Sequence, residues 1–483
     1  MPNFARKTDN NHLALTRHMS TIFYKLVVVA LAIGYSFVAG NPQAQFPVGE
    51  VIEKVTCKAD PEQSYALFLP PGYTPEKKWP ILYAFDPGGR GPVPVKLFQD
   101  AAKKFGFIVV GSNNSRNGID VGPIVKTLWS DTHERFSVDE RRVYTTGFSG
   151  GARVASAIAL GYRGAVAGVI AASAGLSPNF DPALANQFVF FGTAGTEDFN
   201  FPEMQRNKRR LNEVGVTNRL AIFEGSHDWP PADLCGEAIS WMEVQAMKLG
   251  RRAKDNDLID ERLNSKRKTA GDYETSKKPY EAYLEYEELV TEFKGLRDVN
   301  EFAAAAERLG SSKEVRAAIK SERAEEDDQA SLLEKLRTQI ARLPDVDAYP
   351  ATMPELKSNL ADLTKRSESG NSVAARRVAH RVLQSLVVQF YEEAFALKQR
   401  KDYAAIPAKL ELVAVISPKD PGVFYNLAVA YARAGNKSRA TAALSMAIER
   451  GFSDLARIEQ NEDFAILRNE ADFKKLIASL KKS

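Results

Sequence analysis

The sequence predicts two successive architectures: an open, mostly parallel α/β sheet over residues 46–250, then an all-α region over 279–483, with a charged stretch at 251–278 between them. Three observations predict this. Short apolar runs of strand length recur up to about residue 223, each ending in a loop of Gly, Asp, Asn or Ser, as buried parallel strands do. From Tyr280 onward those runs vanish and Ala, Leu, Glu, Lys and Arg dominate. Near the end, Tyr391-Glu392-Glu393-Ala394-Phe395-Ala396 aligns with Tyr425-Asn426-Leu427-Ala428-Val429-Ala430 at an offset of 34 residues. A chain of 483 residues has room for two or more domains. Its 44% hydrophobic and 26% charged content is ordinary for a globular protein, and a net charge of +4 is small for this size. Nothing in that balance points to a nucleic-acid partner.

Taken in order, the chain opens with a targeting segment, residues 1–45. Lys25 precedes an apolar run at 26–34, followed by small residues at Ala39-Gly40 and Ala44. That pattern fits a cleaved secretory signal, so the protein is expected to be periplasmic or secreted; an uncleaved membrane anchor is the alternative. Residues 80–85 read as a strand delivering Asp86-Pro87-Gly88-Gly89, and 107–110 as a strand delivering Asn113-Asn114-Ser115-Arg116-Asn117. Residues 143–146 read as a buried strand and 152–159 as a helix of small residues. Between them stands Gly147-Phe148-Ser149-Gly150-Gly151. A serine on so sharp a strand-to-helix turn is forced into strained backbone with its hydroxyl exposed, and the glycines let strand and helix approach. Further strands are expected at 169–172, 188–191 and 220–223.

The last two of these strands deliver an acid and a base. One ends in Glu197-Asp198, the other in Ser226-His227-Asp228. Of five histidines, His12 and His18 fall in the targeting segment, His380 lies far downstream and His133 precedes the serine; His227 remains. Asp198 is the preferred acid because it follows the strand before the histidine's, with Glu197, Asp181 and Asp228 as alternatives. Ser149, Asp198 and His227 then stand in the order that a hydrolytic triad takes on this kind of sheet. The chemistry is acyl transfer. A serine hydroxyl is a poor nucleophile until a base takes its proton, and a carboxylate fixes the tautomer of that base. The oxyanion that forms needs backbone N–H donors, one of them from the residue after the nucleophile, Gly150. No metal or cofactor is called for: Cys57, Cys235 and His227 offer no fourth zinc ligand.

Over roughly residues 50–250 the chain resembles the α/β-hydrolases of the esterase, feruloyl-esterase and polyhydroxybutyrate-depolymerase-like group. The resemblance is carried by Tyr65-Ala66-Leu67-Phe68-Leu69-Pro70-Pro71-Gly72-Tyr73, Trp79-Pro80-Ile81-Leu82-Tyr83, and Asp139-Glu140-Arg141-Arg142-Val143-Tyr144-Thr145-Thr146-Gly147-Phe148-Ser149-Gly150-Gly151. It implies an α/β-hydrolase sheet, the triad roles for Ser149, Asp198 and His227, and ester cleavage. The loop at Asp86-Pro87 stands where relatives carry a His-Gly oxyanion motif; here Gly88, with Gly89 behind it, is the expected second donor. Residues 173–187 are too few for a large cap, so the site is expected to be open. Asn113 and Asn114 are candidate substrate contacts, a plain turn being the alternative. The expected substrate is a small-molecule or polymer-linked ester. A serine peptidase on the same fold and a non-catalytic interaction protein are the rival readings.

The 34-residue offset resembles the tetratricopeptide period, in which each unit is a pair of antiparallel helices. Such repeats are expected near 385–450, as a groove for a peptide or protein partner or, equally, as a packing module that rigidifies the hydrolase or makes a dimer. In an exported protein, Cys57 and Cys235 invite a disulfide; two separate buried thiols are the equal alternative.

Overall fold

Apolar runs that alternate with helices are what a mostly parallel sheet buries on both faces, and they form such a sheet here. The computed structural model describes residues 46–481 apart from 178, 186, 345 and 346. Its strands are β1 (Val51–Thr56), β2 (Ser64–Phe68), β3 (Trp79–Phe85), β4 (Ile108–Ser112), β5 (Val138–Phe148), β6 (Gly168–Ala172), β7 (Val189–Gly195) and β8 (Asn218–Phe223). They make a single sheet in the order β1-β2-β4-β3-β5-β6-β7-β8. β2 runs antiparallel to β1 and β4, and every other pairing is parallel. β3, β6 and β7 are buried along their whole length, which is why they read as unbroken apolar runs. The segment for which an export signal is expected lies outside the described residues.

Helices α1 (Pro92–Phe105), α2 (Gly122–Arg135), α3 (Gly150–Gly161), α4 (Phe201–Glu213) and α5 (Ala232–Lys248) connect and follow the strands. Phe98 on α1 and Trp241 and Met242 on α5 join Val109, Tyr144, Ile170 and Phe191 of the sheet in one core. α3 packs on β5 and β6, and α4 on β7 and β8. Loops after β5, β7 and β8 therefore gather at the carboxyl edge of the sheet, where open α/β sheets place their sites. Between β6 and β7 the only helix is the single turn Pro182–Ala185, among the described residues.

Residues 251–278, which read as a charged linker or an exposed helix rather than core, are mostly helix and partly buried. Most of the stretch is helix α6 (Asn256–Thr275), with Ile259, Arg262, Lys266 and Ala270 buried. The charges are buried because they are paired. Arg262 bonds Glu292 of the next helix, α7 (Pro279–Phe293), Lys266 reaches Glu237 of α5 at 2.9 Å, and Arg219 of β8 meets Glu237 at 2.6 Å. A run of charge that reads as solvated surface is here an internal ion network. Val244 and Met247 of α5 share an apolar core with Ile259, Leu289 and Phe293, so the first all-α helices pack directly on the last sheet helix.

The rest is helical: α8 (Asn300–Gly310), α9 (Lys313–Ala341), α10 (Tyr349–Ser369), α11 (Val373–Gln399), α12 (Ile406–Ile416), α13 (Pro421–Arg433), α14 (Lys437–Glu449), α15 (Leu455–Gln460), a 3₁₀ turn (Glu462–Leu467) and α16 (Ala471–Leu480). α13 and α14 pack closely across a tight turn in which Gly435 takes φ +77°. Two helices joined so briefly can pack along their length only if they run antiparallel. Val48–Ser483 form one compact unit. Among the described residues, no helix is long and apolar enough to cross a membrane. Cys57 and Cys235 are free, buried thiols, not a disulfide. Each sits in its own surroundings, Cys57 near Asp131 and Arg135 and Cys235 on the core-facing side of α5, and burial pushes both thiols up, Cys57 to about 11.

Candidate active site

Ser149 ends β5 and begins α3, with φ +53° and ψ −119°. That is a costly conformation for a residue with a side chain, and the surrounding packing enforces it. A Cβ on Gly147 would come within 2.2 Å of the Gly151 backbone, and one on Gly151 within 1.9 Å of the Phe85 carbonyl oxygen. Both positions therefore require glycine. The Ser149 N–H donates to the Ala172 carbonyl at 2.8 Å, tying the turn to the end of β6.

His227 Nε2 lies 2.9 Å from Ser149 Oγ, and its Nδ1 lies 2.8 Å from Asp198 Oδ1. An ionised carboxylate can only accept, so Nδ1 donates and Nε2 presents its lone pair to the serine hydroxyl. Asp198 is wholly buried, and the His227 side chain is 15% exposed. Oδ1 of Asp198 also accepts the Asn200 N–H at 2.8 Å, while Oδ2 has no hydrogen-bond partner among the described residues. The imidazole is held between two rings, Phe148 with its centroid 4.7 Å away and Phe199 at 4.0 Å.

The other acids are elsewhere. Glu197 is exposed and faces His380 at 3.4 Å. Asp181 accepts the Ala183 N–H at the start of the short turn, and Asp228 accepts the Trp229 N–H.

Two sequence expectations are corrected. Gly88 is not free to receive an oxyanion, because its N–H donates to Asp86 Oδ1 at 2.8 Å, and the Gly89 N–H donates to the Asp86 carbonyl at 3.1 Å. Asp86 is fully buried and also accepts Arg90 Nε at 2.8 Å, Arg90 Nη2 at 2.9 Å and Trp229 Nε1 at 3.0 Å. Burial alone would raise its carboxyl, but the bonds from Arg90, Trp229 and Gly88 outweigh that and hold it below the usual carboxylate value. The loop after β3 is thus a staple to the chain just beyond His227. Asn113 and Asn114 do not face the site either. Asn113 Nδ2 donates to the Glu53 carbonyl and Ser64 Oγ, and Asn114 accepts the Ser64 N–H and donates to the Glu62 carbonyl. They brace β1 and β2. The plain-turn alternative is the one the structure has.

Gly150 is the first residue of α3, so its N–H has no partner within the helix. The neighbouring polar group comes from the same asparagine-rich loop: Asn117 Oδ1 lies 1.9 Å from where a Gly150 Cβ would stand. Ser173, just after β6, takes φ +61°, donates its hydroxyl to the Asp228 carbonyl at 3.2 Å and accepts from Asn200 Nδ2 through its own carbonyl at 2.8 Å. It ties the acid loop to the histidine loop. Sequence reasoning missed Ser173, Phe199 and Trp229, although Phe199 and Trp229 stand within two residues of Asp198 and His227.

A cavity of about 1340 Å³ lies apart from Ser149 and His227, among the paired charges of Lys208, Glu237, Lys266 and Glu288.

The strand order, the strained serine turn and the loops at the carboxyl edge define an α/β-hydrolase sheet followed by an all-α region. No family model matches the chain, and no curated protein matches it. Among solved structures it is similar to a ferulic acid esterase, with 18% identity, 40% of this chain and 96% of that chain covered, and a TM-score of 0.34. It is likewise similar to an S-formylglutathione hydrolase from Staphylococcus aureus (14% identity, 41% and 98% covered, TM-score 0.33) and an esterase from Pyrobaculum calidifontis (13%, 48% and 98%, 0.33). The fold assignment rests on the sheet and the turn, not on these likenesses.

Proposed function

We propose that this protein is a serine hydrolase that cleaves carboxylic esters through an acyl-enzyme on Ser149. The observation that carries the reading is the relay of 2.9 Å and 2.8 Å from Ser149 Oγ through His227 to Asp198 Oδ1. His227 Nε2 takes the hydroxyl proton as Ser149 Oγ attacks the carbonyl carbon. Asp198 holds the imidazole and stabilises its charged form. The developing oxyanion is received by the Gly150 N–H, a donor that contributes on the order of 3 kcal/mol; the Asn117 carboxamide stands beside Gly150 with its oxygen nearer, and it adds a second donor only by turning its Nδ2 toward the oxyanion. His227 then protonates the leaving alkoxide, and a water activated by the same nitrogen releases the acid. Export by the apolar segment at 26–34 belongs to this reading, which places the enzyme outside the cytoplasm.

The test is turnover of p-nitrophenyl acetate and butyrate by the full chain beside Ser149→Ala and Asn117→Ala, with fluorophosphonate labelling of the same proteins. Ser149→Ala should lose labelling and at least about 10³-fold in kcat, and Asn117→Ala roughly tenfold in kcat. Equal turnover by wild type and Ser149→Ala would sink the proposal. A peptide substrate cleaved faster than any ester would move the assignment to the peptidase.

A further inference from the structure

The loop that carries Asp198 is gripped from two sides. On the sheet side, Thr196 N–H donates to the Phe223 carbonyl at 2.9 Å and Glu197 N–H to the Gly225 carbonyl at 2.8 Å. On the other side stand α9 and α11 of the all-α region. Arg381 of α11 donates Nε to the Thr196 carbonyl at 2.9 Å, and its Nη2 bonds the same oxygen. Gln329 of α9 donates Nε2 to the Phe199 carbonyl at 2.8 Å. The two captured carbonyls flank Asp198, one on each side in sequence.

These donors are not surface side chains that happen to reach across. Arg381 is 2% exposed and Gln329 4% exposed. A buried guanidinium is costly unless charges and acceptors surround it. Here Glu325 lies 3.5 Å from Arg381, the Phe201 ring lies 4.2 Å beneath the guanidinium, and the Thr196 carbonyl fills the remaining fork. Burial lowers this guanidinium to about 10, opposed by Glu325 and Asp198 and aided by Arg377, so near neutral pH it stays charged and faces the buried carboxylate of the acid. Asp198 Oδ2 has no hydrogen-bond partner of its own among the described residues. The acid's position therefore depends on its loop backbone. Gln329 reaches further still, because Phe199, whose carbonyl it holds, lays its ring 4.0 Å from the His227 ring.

We propose that the all-α region completes the active site by clamping the acid loop, with Arg381 and Gln329 as positioning residues that act through Asp198. The inference rests on the serine-hydrolase reading above. A triad side chain must be held close to its productive geometry, and a shift of 1 Å can cost roughly 10²-fold in rate. Freeing the Thr196 or Phe199 carbonyl gives the loop that freedom without touching Ser149, His227 or the substrate.

The test uses the full chain and p-nitrophenyl butyrate, with Arg381→Met and Gln329→Leu made singly and each again in an Asp198→Ala background, kcat, KM and fluorophosphonate labelling rate being measured for all. Each single substitution should lower kcat and labelling rate by about 10- to 100-fold with KM within about twofold. In the Asp198→Ala background Arg381→Met should change the labelling rate less than about twofold, because its effect runs through the missing acid, whereas Gln329→Leu keeps whatever part of its effect runs through the Phe199 ring on His227. Arg381→Lys, which keeps one donor for the Thr196 carbonyl, should recover part of the loss. Gln329→Leu carries the test should Arg381→Met fail to fold. Unchanged kcat in a folded Arg381→Met or, where that variant fails to fold, in Gln329→Leu, with wild type active, overturns the clamp alone. So does an equal loss with and without Asp198, which marks a general structural role. A folded wild type that neither turns over ester nor takes the probe overturns the serine-hydrolase reading and the clamp with it.

Discussion

Asp86 offers a sharp trial of the staple between the loop after β3 and the histidine loop. In Asp86→Ala, four hydrogen bonds are lost at once. They are not equal. The Arg90 side chain is 60% exposed and rehydrates, so its pair contributes at most about 1 kcal/mol. Trp229 is 7% exposed, and stranding its indole N–H without an acceptor costs about 1–3 kcal/mol. The sum is a destabilisation of about 1–4 kcal/mol, read as a fall in the urea midpoint at unchanged slope. Activity should fall as well, because Trp229 packs at 5.9 Å on Phe148, which in turn lies against the His227 ring. The pH dependence has a definite sign. The folded carboxyl lies below its ordinary value, so its contribution is full above about pH 4 and is lost as pH falls through the lower folded value. The gap between wild type and Asp86→Asn should therefore narrow on acidification below pH 4. A variant within about 0.5 kcal/mol of wild type at pH 7, or a gap that widens in acid, would refute the reasoning.

Three other outcomes are expected. Asp198→Asn should keep the fold and lose about 10³- to 10⁴-fold in kcat on p-nitrophenyl esters, since the amide no longer enforces the tautomer that presents Nε2 to Ser149. Gly151→Ala should destabilise by about 3 kcal/mol or more in thermal unfolding, because its Cβ would lie 1.9 Å from the Phe85 carbonyl oxygen and both sides of the contact are backbone. Arg219→Met should cost about 3–5 kcal/mol by urea unfolding, because Glu237, 2.6 Å away, and Glu292, 3.8 Å away, would lose a buried partner.

Much of the sheet was legible because a strand buried on both faces writes itself as an apolar run. Residues 143–146, 169–172 and 220–223 fall in β5, β6 and β8 and all of 188–191 but Phe188 in β7, and Ser149, Asp198 and His227 stand in the loops just beyond three of those strands. What escaped was the use of groups whose fate depends on a distant partner. Gly88 looks like a free donor until Asp86 folds back two residues to take its N–H. Asn113 and Asn114 look like pocket residues until β1 and β2 arrive to use their amides, while Asn117, four residues on from Asn113, reaches the serine turn. The charge of α6 reads as solvated because opposite charges 19 and 30 residues away are invisible to local pattern. Arg381 meets Thr196 across 185 residues, a separation at which no spacing rule operates.

The ion network under β8 makes the sheet a poor candidate for excision. A chain cut after residue 250 would strip Arg219 and Glu237 of Glu288, Glu292, Arg262 and Lys266. It would also uncover the apolar flank of α5 at Val244 and Met247. The sheet and the helices after it therefore have to be inherited, expressed and engineered as one piece.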